Sequence, residues 1–461
     1  MKKPNILMIV CDQLRYDCIG FSKKYPVKTP NIDALAEEGI FFTKAYTSIP
    51  ICCPARQEML SGIKCEKFGN HWNYDISLPI GYLKSTDYSF VNDVKDAGYN
   101  TAYIGKWHVS PEETPLSFGF DHYVDLLDFE IDRAKYPGKQ YGDRYFGEVN
   151  FLDTEDCRTH FLAKKAKEKL SEYAESENPF FMRVDFSEPH LPCRPSQEFF
   201  DMYKPEDIVE WDGFGDEFKD KPYIQKQHLL NWEVDGFTWE DWRPVVHRYY
   251  AMITQIDDAI GKIINMLKEK NLFEDTAIFF TADHGDMCGS HGMMDKHYVM
   301  YEDILHVPYI VRYKGFLQGV KCNDFTYNTL DMAPTVLDIL GLPQKDFFDG
   351  KSFYKNLTDK DYKNGRDCLI STYNGQQHGL YTIRTLIMER YKYCFNPTDV
   401  DELYDLKEDE GELINLIHDP KYKELVKSFR EKLFNELEAL NDTMLKNKKW
   451  FNAALLGNKK R

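Results

Sequence analysis

The sequence predicts an α/β fold, with a largely parallel sheet between helical layers and a smaller C-terminal α+β subdomain. Short apolar strands alternate with helical segments through the first 350 residues, a pattern typical of parallel sheets. After Gly350 the pattern changes to short antiparallel strands and a single helix. We therefore expect a main domain at residues 1–350 and a subdomain at residues 351–461.

Composition and charge limit the classes of function. The chain has 461 residues, of which 43% are hydrophobic, and a formal net charge of −17. Binding to nucleic acid or to an anionic membrane needs a basic face, so this charge argues against both. No apolar run reaches the ~18 residues of a membrane span. A small anionic substrate stays open, because a few cations in one cleft can set the local field.

The first fifteen residues, MKKPNILMIVCDQLR, have the outline of a signal peptide. However, the apolar run is short and no small-residue cleavage site follows it, so a buried parallel strand is the better interpretation. Eleven cysteines without paired spacing indicate free thiols in a reducing compartment. We therefore expect a cytoplasmic protein, and the sequence leaves homo-oligomer formation open.

Local signals support each predicted element. Residues 5–13 are apolar up to a polar end and predict the first strand. In the next helix, Thr29 is the expected N-cap, Pro30 takes the first position and Gly39 ends the helix. The apolar face of this helix consists of Ile32, Leu35 and Ala36.

The middle of the chain continues the alternation. SFVNDVKDAGYNTAYIGKWH predicts a helix, a turn at Gly98 and a strand that ends near Lys106. NPFFMRVDFSEPH, TAIFFTADHGD and VPYIVRY predict three more strands. Residues 248–271 predict a long amphipathic helix, with Met252, Ile256, Ile260, Ile263 and Leu267 at helical spacing.

An insertion is predicted at residues 201–243, a stretch rich in acidic, aromatic, Gly and Pro residues. It carries Trp211, Trp232, Trp239 and Trp242. Two interpretations fit this composition equally well: a lid or substrate wall, or a surface excursion that packs on itself. In the subdomain, GLYTIRTLIMERYKYCFNP and DELYDL predict short strands. DPKYKELVKSFREKLFNELEAL predicts a helix, and a basic tail, KNKKW…GNKKR, follows it.

Polar side chains follow four of the predicted strands at their carboxyl ends. Ligands of open α/β sheets bind at this edge, so four polar clusters at one edge predict a functional site. The clusters are Asp12 with Gln13, Lys106 with His108, His190, and Asp283 with His284.

Two kinds of chemistry are expected at this site. Carboxylate, amide and imidazole groups of Asp12, Gln13, Asp283 and His284 suit a divalent metal, with Ca²⁺ or Mg²⁺ favoured and Mn²⁺ or Zn²⁺ open. Taken singly, each of these residues is better explained as a helix cap or a surface acid. Positive groups that could bind a tetrahedral oxyanion are Arg56, Lys106, His108, His190 and Lys296.

The string CCPAR places a cysteine beside a helix. Pro54 fits the first helical position, with the helix running to about Ser61 and Gly62 beyond its end. Cys52 would then lie just before the positive amino terminus, where a thiolate or another anion is stabilised, with Arg56 on the first turn.

Other readings of these cysteines are weaker. Two buried thiols are common, and a vicinal disulfide would be strained. A zinc site of Cys52, Cys53, Cys65 and His71 lacks the usual paired spacing, and a phosphatase-type thiolate loop would need a longer interval to the arginine.

Together these strings resemble the sulfatase family of the alkaline-phosphatase-like superfamily. CCPARQEMLSG is similar to the family signature C-x-P-[S/A]-R-x-x-x-L-x-G, and NILMIVCDQ, GKWH, PH and ADHG with a downstream lysine follow the family order. The resemblance covers residues 5 to about 342, and RYKYCFNPTDVDELYDLKEDEGELINL resembles the C-terminal subdomain of the family. It implies an alkaline-phosphatase-like sandwich, with a large, mostly parallel central sheet between helices.

The resemblance also implies a mechanism. A maturase would convert Cys52 to formylglycine, an aldehyde that hydrates to a gem-diol. One hydroxyl attacks sulfur and displaces the alcohol; the second then loses its proton, the aldehyde re-forms and sulfate leaves.

Residue roles follow from the resemblance in the same way. Asp12, Gln13, Asp283 and His284 would hold the metal together with the oxygen at Cys52. Arg56 and Lys106 would fix the nucleophile, and His108 would take the proton of the second hydroxyl. His190 and Lys296 would bind sulfate oxygens and could protonate the leaving alcohol.

The sequence departs from the common family pattern at two positions. Gln13 stands where many relatives carry a second aspartate, which leaves the choice of metal open. Ala55 stands where many carry serine, and this favours an oxygen-independent radical maturase. The pair DQ with CxPAR also occurs in phosphonate and phosphodiester monoester hydrolases, whereas GKWH favours a sulfatase.

Three hypotheses about function remain at this point. The first is a sulfuric ester hydrolase that acts in glycan degradation on a small sulfated substrate, preferably a sugar. The second is a phosphonate or phosphodiester hydrolase, and the third is a non-catalytic binding or redox protein that senses oxidation through Cys52 and Cys53. His71, Trp72 and Asn73 are the candidate substrate-binding residues.

Overall fold

An eight-stranded sheet forms the centre of the computed structural model, which describes residues 3–74, 79–134, 145–375, 379–447 and 453–456. Most of the predicted basic tail lies outside these residues. The strands are β1 (Asn5–Asp12), β2 (Ile40–Phe42), β3 (Ala45–Tyr46), β4 (Asn100–Gly105), β5 (His122–Val124), β6 (Phe180–Pro189), β7 (Thr276–Ala282), β8 (Tyr309–Arg312), β9 (Val320–Cys322), β10 (Thr326–Tyr327), β11 (Cys368–Tyr373), β12 (Ile383–Met388), β13 (Tyr391–Phe395) and β14 (Glu402–Asp405).

Helices connect and flank these strands. They are α1 (Pro30–Glu38), α2 (Cys52–Ser61), α3 (Phe90–Asp96), α4 (Leu126–Arg133), α5 (Arg158–Ala174), α6 (Gln197–Phe200), α7 (Tyr223–Asn231), α8 (Trp239–Glu269), α9 (Glu302–Leu305), α10 (Met332–Leu340), α11 (Tyr354–Thr358) and α12 (Lys423–Ala439). Among the described residues, no helix combines the length and apolarity that crossing a bilayer requires.

The large sheet has the strand order β5-β4-β6-β1-β7-β8-β2-β9. Its strands pair in parallel except around β8, which is antiparallel to both β7 and β2. The predicted alkaline-phosphatase-like architecture, a mostly parallel sheet between helices, is therefore confirmed.

Strand β1 shows why the sheet needs a helical layer on each face. All eight of its residues are buried. Alternate side chains enter two different cores: Leu7, Ile9 and Cys11 pack in one, and Ile6, Met8 and Val10 pack in the other. Since successive strand residues point to opposite faces, an apolar strand of this kind is stable only when both faces are covered.

The long helix α8 begins earlier than predicted. It starts at Trp239 rather than at residue 248, so the last part of the predicted insertion is helical. A capping box explains this start, because the side chain of Asp241 accepts from the backbone N–H of Thr238 at 2.9 Å. Elsewhere in the insertion, Trp211 donates from Nε1 to the carbonyl of Cys288 at 2.8 Å. Trp211, Trp239 and Trp242 are buried and serve as packing residues beside the loop that follows β7.

The C-terminal region forms the second, smaller sheet that was expected. Strands β11 to β14 are antiparallel, and α12 packs on them through Val426, Phe429, Leu433 and Leu437. Hydrogen bonds also join this sheet to the region around α2: Ser371 Oγ donates to the carbonyl of Thr47 at 2.6 Å. The division of the chain at residue 350 stays a prediction.

Candidate active site

The four polar strand ends meet at one edge of the large sheet. Strands β4, β6, β1 and β7 are neighbours in this order and run parallel. Asp12 ends β1, Lys106 follows β4, His190 follows β6 and Asp283 follows β7. The four polar clusters therefore lie at one edge of the sheet, as the sequence predicted.

Cys52 lies at the centre of this edge and is 1% exposed. Its Sγ is 3.0 Å from Lys296 Nζ, 3.2 Å from His284 Nε2 and 3.6 Å from Asp12 Oδ1. Lys296 and His284 are more than two hundred residues from Cys52 in sequence, and Asp12 is forty residues from it. The fold thus surrounds one thiol with two cationic or imidazole groups and a carboxylate.

The helix that carries Cys52 starts two residues earlier than Pro54 predicted. Helix α2 begins at Cys52 and Ile51 is its N-cap, with the carbonyl of Ile51 accepting from the N–H of Ala55 at 3.0 Å. Asn73 Oδ1 accepts from the N–H of Cys53 at 2.9 Å and so replaces a local capping side chain. Pro54 fits inside the first turn, because the N–H that it lacks would have no helical partner there.

Electrostatics favour an anion at position 52. Burial opposes ionisation, but the positive charges of Lys296 and Lys106 and the contact with His284 hold the pKa of the Cys52 thiol well below its usual value. A hydrogen bond with His108 acts in the same direction. An oxygen nucleophile in this place would be stabilised as an anion by the same groups.

Arg56 organises the carboxylates around Cys52. Its guanidinium is fully buried and donates to Asp283 at 2.9 Å, to Asp185 at 2.6 Å and to Asp12 at 3.2 Å. Burial disfavours the charge of Arg56, but these three carboxylates raise its pKa well above the usual value. Arg56 therefore balances the acidic groups of the site.

Asp185 is a site residue that the sequence analysis missed. It lies in β6 and accepts from Arg56, from Arg183 Nε at 2.7 Å and from the hydroxyl of Tyr103 at 2.7 Å. A signal existed, because the charged pair Arg183 and Asp185 interrupts an otherwise apolar strand.

Lys106 forms an ion pair with Asp12 Oδ2. Burial and the neighbouring Cys52 thiolate act to raise the pKa of Asp12, but Lys106, His190 and Arg56 outweigh them and hold it below its usual range. Asp283 is likewise fixed, since its Oδ1 accepts from the N–H groups of Gln13 at 3.1 Å and His284 at 2.9 Å. Both carboxylates are fully buried, and burial of a charged carboxylate is costly without a cation nearby.

The donor atoms of Asp12, Cys52, Asp283 and His284 all lie within 4.8 Å of one another. His284 Nδ1 donates to the carbonyl of Gly285 at 2.8 Å, and this hydrogen bond directs Nε2 toward Cys52. Orientation of an imidazole by a second hydrogen bond is typical of metal-binding histidines. This buried set, with two carboxylate oxygens, one imidazole nitrogen and the Cys52 position, fits a divalent metal.

Gln13 connects the metal-binding group to Lys296. Its Oε1 accepts from Lys296 Nζ at 2.9 Å, and its Nε2 donates to Asp295 Oδ1 at 3.0 Å. Asp295 also pairs with His297 Nε2 at 3.0 Å. The sequence analysis named Lys296 but missed Asp295, although the string DKH signals three adjacent polar groups.

His108 and His190 lie on two sides of the site. His108 adopts a left-handed backbone conformation with φ 46°, and its ring meets Tyr74 edge-on at 5.2 Å. His190 Nδ1 donates to the carbonyl of Leu191 at 2.7 Å, which fixes its ring. Together with Lys106, His190 lines a cleft of about 370 Å³.

The three candidate substrate-binding residues, His71, Trp72 and Asn73, differ in their surroundings. Asn73 supports the start of α2, as described above. Trp72 is only 7% exposed. Burial lowers the pKa of His71, whose charged neighbours are Glu66, Arg384 and Asp442. Their role in substrate binding stays a prediction.

Comparisons with known proteins agree with this geometry. The family model described as Sulfatase matches residues 4–342, and the model described as N-sulphoglucosamine sulphohydrolase, C-terminal, matches residues 289–439. An arylsulfatase of Clostridium perfringens is 28% identical to this chain over 482 residues, which cover 95% of each protein.

Solved structures show the same fold. A phosphonate monoester hydrolase of Agrobacterium radiobacter superposes with a TM-score of 0.81 at 24% identity and covers 95% of this chain and 96% of its own. A protein solved with its substrate D-glucosamine-2-N,6-O-disulfate superposes with a TM-score of 0.78 at 20% identity, over 96% of this chain and 99% of its own. The sulfatase model spans most of the sequence, including the strand ends and the helix that build the site. The chain therefore belongs to the sulfatase family, the sulfuric ester hydrolases of the alkaline-phosphatase-like superfamily.

Proposed function

We propose that this sulfatase releases inorganic sulfate from small sulfated sugars after conversion of Cys52 to formylglycine. The observation that supports the proposal is the environment of Cys52, whose Sγ contacts Lys296, His284 and Asp12 within 3.6 Å. In this structure Sγ stands in for the hydroxyl oxygens of the hydrated aldehyde. Sugars are favoured because one relative removes 2-O-sulfate from a Δ4,5-hexuronate and one structural neighbour binds a disulfated glucosamine.

Asp12, Asp283 and His284 would hold a divalent metal, with Gln13 Oε1 as a further oxygen donor. Oxygen donors dominate this set, so we propose Ca²⁺, with Mg²⁺, Mn²⁺ or Zn²⁺ as the alternatives. When bound, the metal supplies Lewis acidity at the sulfate and favours the ionised form of the nucleophile.

The chain's own residues would handle charge and protons. Lys296 contacts Cys52 Sγ and Lys106 pairs with the neighbouring Asp12, so both would neutralise the sulfate oxygens as the nucleophile attacks sulfur. His108 contacts position 52 directly and would accept the proton of the second hydroxyl when sulfate is expelled. His190 lies at the cleft, where it would protonate the departing alcohol.

Two partners follow from this proposal. The first is a maturase, and Ala55 in the signature favours the oxygen-independent radical type. The second is the sulfated sugar itself. The structure describes all eleven cysteines as free and buried, which is compatible with the proposed cytoplasmic location.

The test begins with co-expression of the chain and an anaerobic maturase. Peptide mass mapping should find an aldehyde at Cys52, and the matured protein should release sulfate from an aryl sulfate and from members of a sulfated-sugar panel. Cys52→Ala should abolish release. The matched control Cys53→Ala changes the neighbouring thiol of the same helix and should mature and turn over normally.

The alternative function is hydrolysis of phosphonate or phosphodiester monoesters, and it could use the same nucleophile. Side-by-side turnover of an aryl sulfate and an aryl phosphonate separates the two. Faster cleavage of the phosphonate than of the sulfate would overturn the proposal that sulfate esters are the substrates. The proposal would also be overturned if protein with verified formylglycine released no sulfate from any of the substrates.

A further inference from the structure

The cleft beside the proposed catalytic site is lined by both charged and apolar side chains. Its inner end is formed by Lys106 and His190, and its apolar wall includes Leu126, Phe129 and Met252. Its volume of about 370 Å³ lies at the small end of the range of roughly 300–1,000 Å³ for small-molecule sites. Lys106 lines this cleft and also pairs with Asp12 beside Cys52, so a sugar whose sulfate reaches Cys52 would lie next to this space.

Positive charge predominates in the cleft although the chain as a whole is strongly acidic. The formal net charge of the chain is −17. Among the described residues that line the cleft, the fixed cations are Lys106, Arg133, Arg158 and Arg194, and the carboxylates are Glu130 and Glu188. Three of these cations already pair with carboxylates: Lys106 with Asp12, Arg133 with Glu130 and Arg158 with Glu188. A guanidinium has five N–H donors, so an arginine that pairs with one carboxylate keeps donors that can bind an anion.

Arg158 is fixed at the cleft wall. It is the first residue of α5, a helix of 17 residues, so the positive end of the helix lies beside it. Glu188 accepts from Arg158 Nε at 2.7 Å and from Ser187 Oγ at 3.1 Å, and Glu188 itself is 6% exposed. The side chain of Arg158 keeps an exposure of 34%. A buried carboxylate thus positions a guanidinium that still faces solvent in the cleft.

Arg194 lines the same cleft. Its Nε is 3.9 Å from Glu148 Oε1, and its side chain is 28% exposed. Planar guanidinium groups bind carboxylates and sulfates through paired N–H donors, which makes Arg158 and Arg194 suitable for an oxyanion.

We propose that this cleft binds a second anionic group of the substrate, and that Arg158 and Arg194 are its ligands. The preferred substrates are then sugars that carry a carboxylate or another sulfate in addition to the sulfate that is removed. This inference rests on the proposed function and deepens it, because it assigns the substrate class to particular residues.

The test compares kcat/KM of the matured enzyme on pairs of sugars with the same scissile sulfate, at the position that the sugar panel identifies. In one arm the second sugar of the pair carries an additional sulfate, and in the other arm it carries a uronic carboxylate. The wild type should prefer the doubly charged sugar in at least one arm by about tenfold or more, the size expected for a charged hydrogen-bonded contact. The arm with the larger preference identifies the group.

Variants then assign the preference to the cleft. Arg158→Ala and Arg194→Ala should each lower the ratio of the two kcat/KM values by about tenfold, and the lysine variants should keep an intermediate ratio. This ratio does not depend on the fraction of folded enzyme. The matched control is Arg243→Ala, because Arg243 pairs with exposed Glu240 on α8 and has a similar exposure of 31%; its ratio should equal that of the wild type.

Two results would overturn the inference. One is sulfate release without a preference in either arm, which leaves the proposed function standing. The other is a preference that both alanine variants retain in full. Absence of any sulfate release from matured enzyme would instead overturn the proposed function and this inference together.

Discussion

Replacing Arg56 by lysine should lower the stability of the fold and weaken binding at the proposed metal site. The guanidinium contacts Asp12, Asp185 and Asp283 at the same time, and an ammonium group cannot reach all three. Losing one or two hydrogen bonds to charged groups costs about 3 kcal/mol. An unfolding entropy of about 2.1 cal/mol/K per residue gives about 1 kcal/mol/K for 461 residues, so Tm should fall by about 3 °C.

Arg183→Lys is the matched control for this prediction. Arg183 is also buried and bonds to Asp185 through Nε at 2.7 Å and Nη2 at 2.8 Å, but it does not bridge the two carboxylates that flank Cys52. Calorimetric titration of the unmodified protein with Ca²⁺ should show a loss of affinity of about 10–100-fold for Arg56→Lys. Arg183→Lys should lower Tm without a comparable loss.

The reasoning would be refuted by an Arg56→Lys protein with the Tm and the Ca²⁺ affinity of the wild type. It would equally be refuted if Arg183→Lys lost as much Ca²⁺ affinity as Arg56→Lys, because the role assigned to Arg56 depends on its contacts with Asp12 and Asp283.

Three further predictions concern α2. Burial is the main cause that raises the pKa of Glu58 from 4.5 to about 7. The protonated side chain therefore stabilises the fold below pH 4.5, and this contribution is lost as pH rises through about 7. Between these pH values the Tm of Glu58→Gln should fall less than the Tm of the wild type, and an equal fall in both proteins would contradict this. Gly62→Ala should cost about 1–2 kcal/mol in urea unfolding, because Gly62 has φ 66° and a Cβ would lie 2.8 Å from Phe348, and an unchanged midpoint would contradict it. Cys53→Ala should lower unfolding stability by about 1 kcal/mol and keep turnover within about twofold of the wild type, whereas a loss as large as that of Cys52→Ala would show that Cys53 takes part in the chemistry.

Local signals in the sequence were sufficient for the central elements. The apolar run before Asp12 had to form a strand buried on both faces, and Gly62 with φ 66° ends α2 as expected. The two helix starts were less predictable. Pro54 fits the first turn of a helix at more than one position, and the start of α8 depends on a capping box that lies within the aromatic insertion.

The candidate site divides in the same way. Residues at strand ends were predictable, because parallel strands place their carboxyl ends at one edge. Asp185 and Asp295 were missed. Their charges are visible in the sequence, but their contacts with Arg56, Arg183 and Gln13 form only in the folded chain.

The sequence by itself determined the order of the motifs, the position of Cys52 within the family signature and the edge of the sheet where the candidate site lies. Only the tertiary structure decided which charges pair, as in Arg56 with Asp283, 227 residues apart, and Lys296 with Gln13, 283 residues apart. It also decided that Arg158 and Arg194 line one cleft with His190. The physical reason is that periodicity and capping act within a few residues, whereas ion pairs and hydrogen bonds require contact within about 4 Å, which only the folded arrangement of the strands and loops provides.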